Sequence, residues 1–136
     1  APHTKEEKAK PYPASPSGMP GVQTLVPLML THVAQGRLSL ERFIDLTSAG
    51  AQRVFGTANK GRMAVSYDAD LTIVDLKAKR VITHDQQASR CGWTPFDGFE
   101  ATGWPMATLV RGRVVMQDGE LIGAAHGRPV RFMETL

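Results

Sequence analysis

Apolar residues at Val22, Leu25, Val26, Met29, Leu30 and Val33 recur at the i, i+3, i+4, i+7 spacing of one helix face, and Gly36 supplies a stop. Pro27 is tolerated only in a first turn, which puts the helix start near Thr24, the residue placed to cap it. Ser39 predicts a second helix burying Leu40, Phe43 and Ile44. Thr47 or Ser48 predicts the cap of a third, which packs Ala51, Val54 and Phe55 and ends at Gly56. Beyond Gly56 the helical period gives way to β-formers. Asp70 to Leu76 predicts a strand, Arg80 to Thr83 its partner, and Met106 to Met116 two further runs around a turn at Arg111-Gly112. Asp118-Gly119, between Val114-Val115-Met116 and Glu120-Leu121-Ile122, is the strongest short hairpin signal. Residues 1–20 read as loop because X-Pro steps and Ser-Gly-rich punctuation suit neither helix nor central strand. Residues 84–104 read as a long irregular connection anchored by aromatics, a feature that suggests contact with something else.

Composition narrows the picture without deciding it. A chain of 136 residues can bury a core, since domains of this size hide roughly two thirds of their unfolded surface. The hydrophobic fraction of 42% and charged fraction of 21% are those of an ordinary globular protein, and no apolar run is long enough for a helical membrane span. A single cysteine, Cys91, leaves no internal disulfide and fits a reducing compartment, so a cytoplasmic location is expected. The net charge of +3 is scattered, and Glu6 and Glu7 dilute the Lys5 to Lys10 run, so no nucleic-acid partner is expected. The chain opens on Ala1-Pro2-His3 and runs straight into a Pro/Gly/Ser loop, which reads as a piece of something longer.

Local motifs for catalysis are missing. The histidines His3, His32, His84 and His126 are too dispersed for local metal pairing, and there is no H-x-H, H-E-x-x-H, C-x-x-C, G-x-S-x-G or phosphate-binding glycine loop. His32, His84 and His126 are read as structural, Asp70 and Asp75 as strand-edge charges, Trp93, Phe96 and Trp104 as core or interface anchors, and Cys91 as inert. His3 alone keeps suggestive company. It precedes a Gly-containing loop whose backbone N–H groups can grip an anion.

Ala1-Pro2-His3-Thr4, then Glu7-Lys8, then Pro16-Ser17-Gly18-Met19-Pro20-Gly21-Val22-Gln23-Thr24 closely resembles the last barrel segment of dihydroorotase, an amidohydrolase-superfamily enzyme of pyrimidine synthesis. The family reads Asp-His-Ala-Pro-His, a Glu-Lys loop and a Gly-containing turn into the final barrel helix. Gly61 to Leu76, Thr94-Pro95-Phe96-Asp97-Gly98, Gly103-Trp104-Pro105 and Val110-Arg111-Gly112 resemble the family's closing β segments, so the likeness spans nearly the whole chain. It implies an α/β fold. Residues 1–57 are the last loop and helices of a metal-dependent (β/α)8 TIM-like barrel, and residues 58–136 are part of a small β-sandwich lobe. The implied activity is zinc-dependent hydrolysis of dihydroorotate, or its formation from carbamoyl aspartate. Two zinc ions are implied, with every ligand outside this chain. The resemblance gives this chain no catalytic residue, because the family's metal-binding, proton-shuttling Asp falls two residues before the position of Ala1. His3 would hold the substrate carboxylate, with backbone groups at Ser17 and Gly18 contacting the ring. The chain alone is therefore expected to be inactive. The implied partners are the small-molecule substrate, the remainder of the enzyme, a second copy in a homodimer, and aspartate carbamoyltransferase.

Three other readings stand beside this one. Allantoinase and dihydropyrimidinase share the barrel and a similar tail. Some dihydroorotase-like chains have lost their metal ligands and serve only as partners of aspartate carbamoyltransferase. A free-standing α+β binding module is the third.

Overall fold

The structure, a computed structural model, describes residues 3–133. A four-stranded antiparallel sheet in the order β1-β2-β3-β4 is built from β1 (Leu71–Val81), β2 (Glu100–Val110), β3 (Arg113–Gln117) and β4 (Glu120–Leu121). The helices precede it: α1 (Lys5–Lys8), α2 (Leu25–Ala34), α3 (Leu40–Ile44) and α4 (Gly50–Phe55). The result is a small α/β unit with one antiparallel sheet. No helix among the described residues is long and apolar enough to cross a membrane.

Both hairpin turns form as their dipeptides predict. Arg111 and Gly112 take φ +50° and +76°, Asp118 and Gly119 +51° and +92°, and each pair links strands across a two-residue loop. Residues 70–76 and 80–83 do not pair with each other. They belong to a single strand, β1, whose partner throughout is β2. Asp75 explains the break in pattern. Its Oδ1 accepts from the backbone N–H groups of Lys77 (2.8 Å) and Ala78 (3.2 Å), and the register jumps between Asp75 and Lys79. Asp75 is thus tied into the strand irregularity rather than standing as a free edge charge. Strand β2 begins at Glu100, so the irregular connection ends five residues earlier than expected. Pro105 is accommodated at a second register shift, opposite the step from Ile73 to Val74.

Helix α2 starts where Pro27 requires, but Thr24 does not cap it, and its hydroxyl donates instead to the Gly21 carbonyl at 3.2 Å. The face that docks on β2 is Pro27, Leu30 and Thr31, all buried. Leu25 is half exposed, and Val22, which precedes the helix, is 94% exposed. Thr31 Oγ1 donates to the Pro27 carbonyl (2.8 Å) and accepts from the Thr102 N–H (2.9 Å), so one hydroxyl ties helix to strand. Gly103, at φ +94°, makes the approach possible. A β-carbon there would lie 2.5 Å from Cβ of Leu30.

Ser39 caps α3 as expected, accepting from the Arg42 N–H at 3.1 Å, and Phe43 is buried. No separate cap follows at Thr47 or Ser48. The helix instead continues through a π-helical turn, Asp45–Ala49, into α4. Thr47 donates to the Phe43 carbonyl, and a β-carbon on Gly50 would sit 2.5 Å from the Asp45 carbonyl oxygen, so the wider turn needs this glycine. Gly56 ends α4 in the left-handed conformation. Val54 and Phe55 point outward, 77% and 67% exposed, contrary to the packing expected of them. The tail returns to this end. Phe132 bridges Thr57, and the Ala58 N–H donates to the Arg131 carbonyl at 2.8 Å.

Candidate functional site

Residues 3–20 are more ordered than a loop reading predicts, because Thr4 and Glu7 form a capping box. The Thr4 N–H donates to Glu7 Oε2 (2.8 Å) and the Glu7 N–H donates to Thr4 Oγ1 (3.2 Å), which nucleates α1 immediately after His3. Ser15 Oγ then donates to the Lys8 carbonyl at 3.0 Å, and Lys8 Nζ to the Pro16 carbonyl. The loop folds back on α1 and delivers Ser17 and Gly18 beside His3. Gly18 has φ +86°, a conformation strained for any other residue.

The opposite wall comes from the connection between β1 and β2. Gln23 clamps it: its Nε2 donates to the Gln86 carbonyl (2.7 Å), and its Oε1 accepts from the Ala88 N–H (2.9 Å). Further along, the buried Trp93 donates its indole N–H to the His3 carbonyl at 2.8 Å. The neighbouring Thr94, also buried, donates its backbone N–H to Nδ1 of His84 at 3.1 Å. That bond makes Nδ1 an acceptor, which places the proton of the neutral ring on Nε2, 3.5 Å from Asp97 Oδ2. The His84 N–H in turn donates to Asp97 Oδ1 at 2.9 Å. His84 therefore holds the wall in place, and Lys5 Nζ lies 3.4 Å from the same Nε2.

Between these walls lies a cleft of about 450 Å³. His3, Ser17 and Gly18 line one side with Met19 and Pro20, and Ser89, Arg90, Cys91 and Trp93 line the other. The three residues singled out from the sequence lie together. The sequence reading missed Arg90 and the clamp by Gln23, and took the aromatics of 84–104 as anchors without saying what they hold. The length of that connection, with Ser89-Arg90-Cys91 at its centre, was the one available signal. His32 is exposed on α2. His126 lies with Nε2 3.1 Å from the Val110 carbonyl, outside the cleft. Cys91 is a free thiol.

A second, larger cleft of about 590 Å³ lies between α2 and the sheet, walled by Val26, Pro27, Ile82, Trp104 and Met116 among others. The Arg80 guanidinium stacks over the Trp104 ring at 5.7 Å. No histidine or cysteine lines this cleft.

Among the described residues no three His, Cys, Asp or Glu side chains converge to hold a metal ion. A metal site does not fit the residues present, so the chemistry legible here is binding and orientation. A histidine, an arginine and loop backbone N–H groups facing one space can hold an anion and align a ring attached to it.

The sequence pattern of the Amidohydrolase family matches residues 19–115. A dihydroorotase of Methanothermobacter thermautotrophicus is 43% identical over 90% of this chain and 28% of its own length. One of Halobacterium salinarum is 47% identical over 96% of this chain and 31% of its own. Among solved structures, a D-hydantoinase (dihydropyrimidinase) from Thermus sp. superposes with a TM-score of 0.82 at 35% identity, covering 90% of this chain and 28% of that one. The chain thus spans under a third of the length of these relatives.

Proposed function

Because this chain belongs to the amidohydrolase family, we propose that it is the C-terminal portion of a dihydroorotase, which opens the cyclic amide of dihydroorotate or closes carbamoyl aspartate to it. In this reading residues 1–57 are the last loop and helices of a (β/α)8 barrel, and residues 58–136 belong to a β-sandwich lobe. In the intact enzyme two zinc ions, held by residues outside these 136, would supply an activated water. His3 holds the substrate carboxylate, and backbone groups at Ser17 and Gly18 meet the ring. A cytoplasmic homodimer goes with this role, and aspartate carbamoyltransferase is its further partner.

The observation that carries the proposal is the character of the small cleft. His3 and Arg90 face it, and no Asp or Glu stands among its lining residues. Dihydroorotate and carbamoyl aspartate carry a carboxylate that such a cleft can hold apart from the reacting amide. An anion fixed there sets the orientation of the ring, which is the contribution expected of a binding residue away from the bond that breaks. The names of the dihydroorotase relatives support the same choice.

A cyclic amidohydrolase acting on hydantoin or a dihydropyrimidine is the second reading, favoured by the hydantoinase neighbour. Those rings lack the carboxylate, so the two readings divide on one comparison. The full-length enzyme is assayed with dihydroorotate, dihydrouracil, hydantoin and allantoin. Preference for dihydroorotate by tenfold or more in kcat/KM, about 1.4 kcal/mol of discrimination, supports the proposal. Preference for a neutral ring contradicts it.

A further inference from the structure

We propose that Arg90 is a second anchor for the substrate carboxylate, closing on it from the wall opposite His3. The proposal rests on the reading of the cleft as a dihydroorotate site and adds a residue to it.

Arg90 is the first central residue of a tight turn. The Gly92 N–H donates to the Ser89 carbonyl at 3.1 Å, the Cys91 N–H donates to Ser89 Oγ at 3.3 Å, and Gly92 takes φ +64°. The backbone of this turn is pinned on both sides. Two residues before Arg90, the Ala88 N–H is held by Gln23, and three residues after it, Trp93 is bonded to the His3 carbonyl. The same contacts that bring the two walls together therefore place Arg90 in the lining of the cleft that His3 also lines.

Among the described residues Arg90 forms no salt bridge, and the lining of its cleft holds no Asp or Glu to neutralise it. A guanidinium presents two parallel N–H groups that match the two oxygens of a carboxylate, and such bidentate pairs exceed a neutral hydrogen bond in strength. His3 supplies at most one ring N–H to the same group. With the arginine on one wall and the histidine on the other, both oxygens are held and the ring cannot rotate about its carboxylate bond.

The test uses the full-length enzyme and two variants, Arg90→Gln and Arg90→Lys. The residue is exposed, so neither change removes a core contact. Arg90→Gln is expected to raise KM for dihydroorotate by about tenfold or more, the range for losing a charge-assisted hydrogen bond, with kcat changed less than about twofold. Arg90→Lys is expected to recover part of the loss. Calorimetry with orotate and with uracil, the same ring with and without a carboxylate, supplies the second readout. Orotate affinity should fall in Arg90→Gln by the same factor, and uracil affinity should not move. An unchanged orotate affinity overturns the proposal, and so does an equal fall for uracil, which marks a role in shaping the cleft. An enzyme inactive on dihydroorotate whose orotate affinity still drops with Arg90→Gln overturns the substrate reading while keeping the anchor. A wild-type enzyme that binds no orotate overturns both.

Discussion

The cleft between α2 and the sheet and the cleft beside His3 differ in how their walls are made. The larger, about 590 Å³, is walled mainly by residues of α2 and the sheet, among them Val26, Pro27, Trp104 and Met116, with Ile82 just beyond β1. The smaller, about 450 Å³, is walled by two loops joined by long-range hydrogen bonds, among them Gln23 to residues 86–88 and Trp93 to His3. The larger also carries charged groups of both signs, Arg80, Asp118 and Glu120, whereas the smaller sets His3 and Arg90 beside Ser17 and Gly18 with no acidic side chain in its lining. Gln23 stands between the two, lining the larger while its amide clamps the segment that walls the smaller.

The comparison breaks most completely at Gly103, which seats α2 on β2 beside the larger cleft. Gly103→Ala places a β-carbon against Leu30 at a left-handed backbone position, so α2 must lift from β2. A loss of roughly 2–5 kcal/mol is expected in denaturant titration, from overpacking and backbone strain together. An unchanged stability would contradict the close α2–β2 approach assigned to it.

Trp93→Phe sharpens the contrast by touching one side. The ring remains, but the donor to the His3 carbonyl goes, a loss of about 1 kcal/mol. KM for dihydroorotate should rise several-fold while the larger cleft is unaltered, as read by the fluorescence of Trp104. An unchanged KM would mean that the indole bond does not position His3.

The smallest effect comes from a network remote from both clefts. Lys60 Nζ bonds Asp70 and lies 2.9 Å from Asp68, Arg111 Nη1 lies 3.4 Å from Asp68, and the Arg111 N–H donates to Asp70 at 2.8 Å. The Asp70 and Asp68 hydrogen bonds hold the Lys60 ammonium above its ordinary value of 10.5, and the Lys60 hydrogen bond holds Asp68 below 3.8. The carboxylate's contribution is present above pH 3.8 and is lost as pH falls through its depressed value. The ammonium's is present below pH 10.5 and is lost as pH rises through its elevated one. A plot of Tm against pH should therefore be flat between these limits as far as this network is concerned and fall beyond both. Lys60→Met should blunt both falls and leave KM unchanged. A shift in KM would tie the network to the cleft.

The parts legible in the sequence are those set by neighbours along the chain. Arg111-Gly112 and Asp118-Gly119 carry their own turn geometry, Ser39 caps its helix, and Pro27 fixes the start of α2. Where a side chain competes with the local pattern, the reading failed. Asp75 bonds its own backbone and keeps Leu71 to Val81 in one strand across a break in register, and Gly50 lets the helix widen past Thr47 instead of restarting there. The Thr4/Glu7 capping box was legible but was overshadowed by the prolines that follow. His3, Ser17 and Gly18 were singled out by family resemblance, not by pattern, and the structure gathers them in one cleft. Trp93 enters the same cleft through a contact ninety residues away, bringing Arg90 with it, which no local periodicity encodes.

The most direct test of the central claim, that the small cleft holds the carboxylate of a cyclic amide, is a crystal structure of the full-length enzyme with dihydroorotate bound. The account predicts the carboxylate within hydrogen-bonding distance of the His3 ring and the Arg90 guanidinium, with the ring against Ser17 and Gly18. Substrate bound in the larger cleft, or bound with its carboxylate turned away from His3, would contradict it.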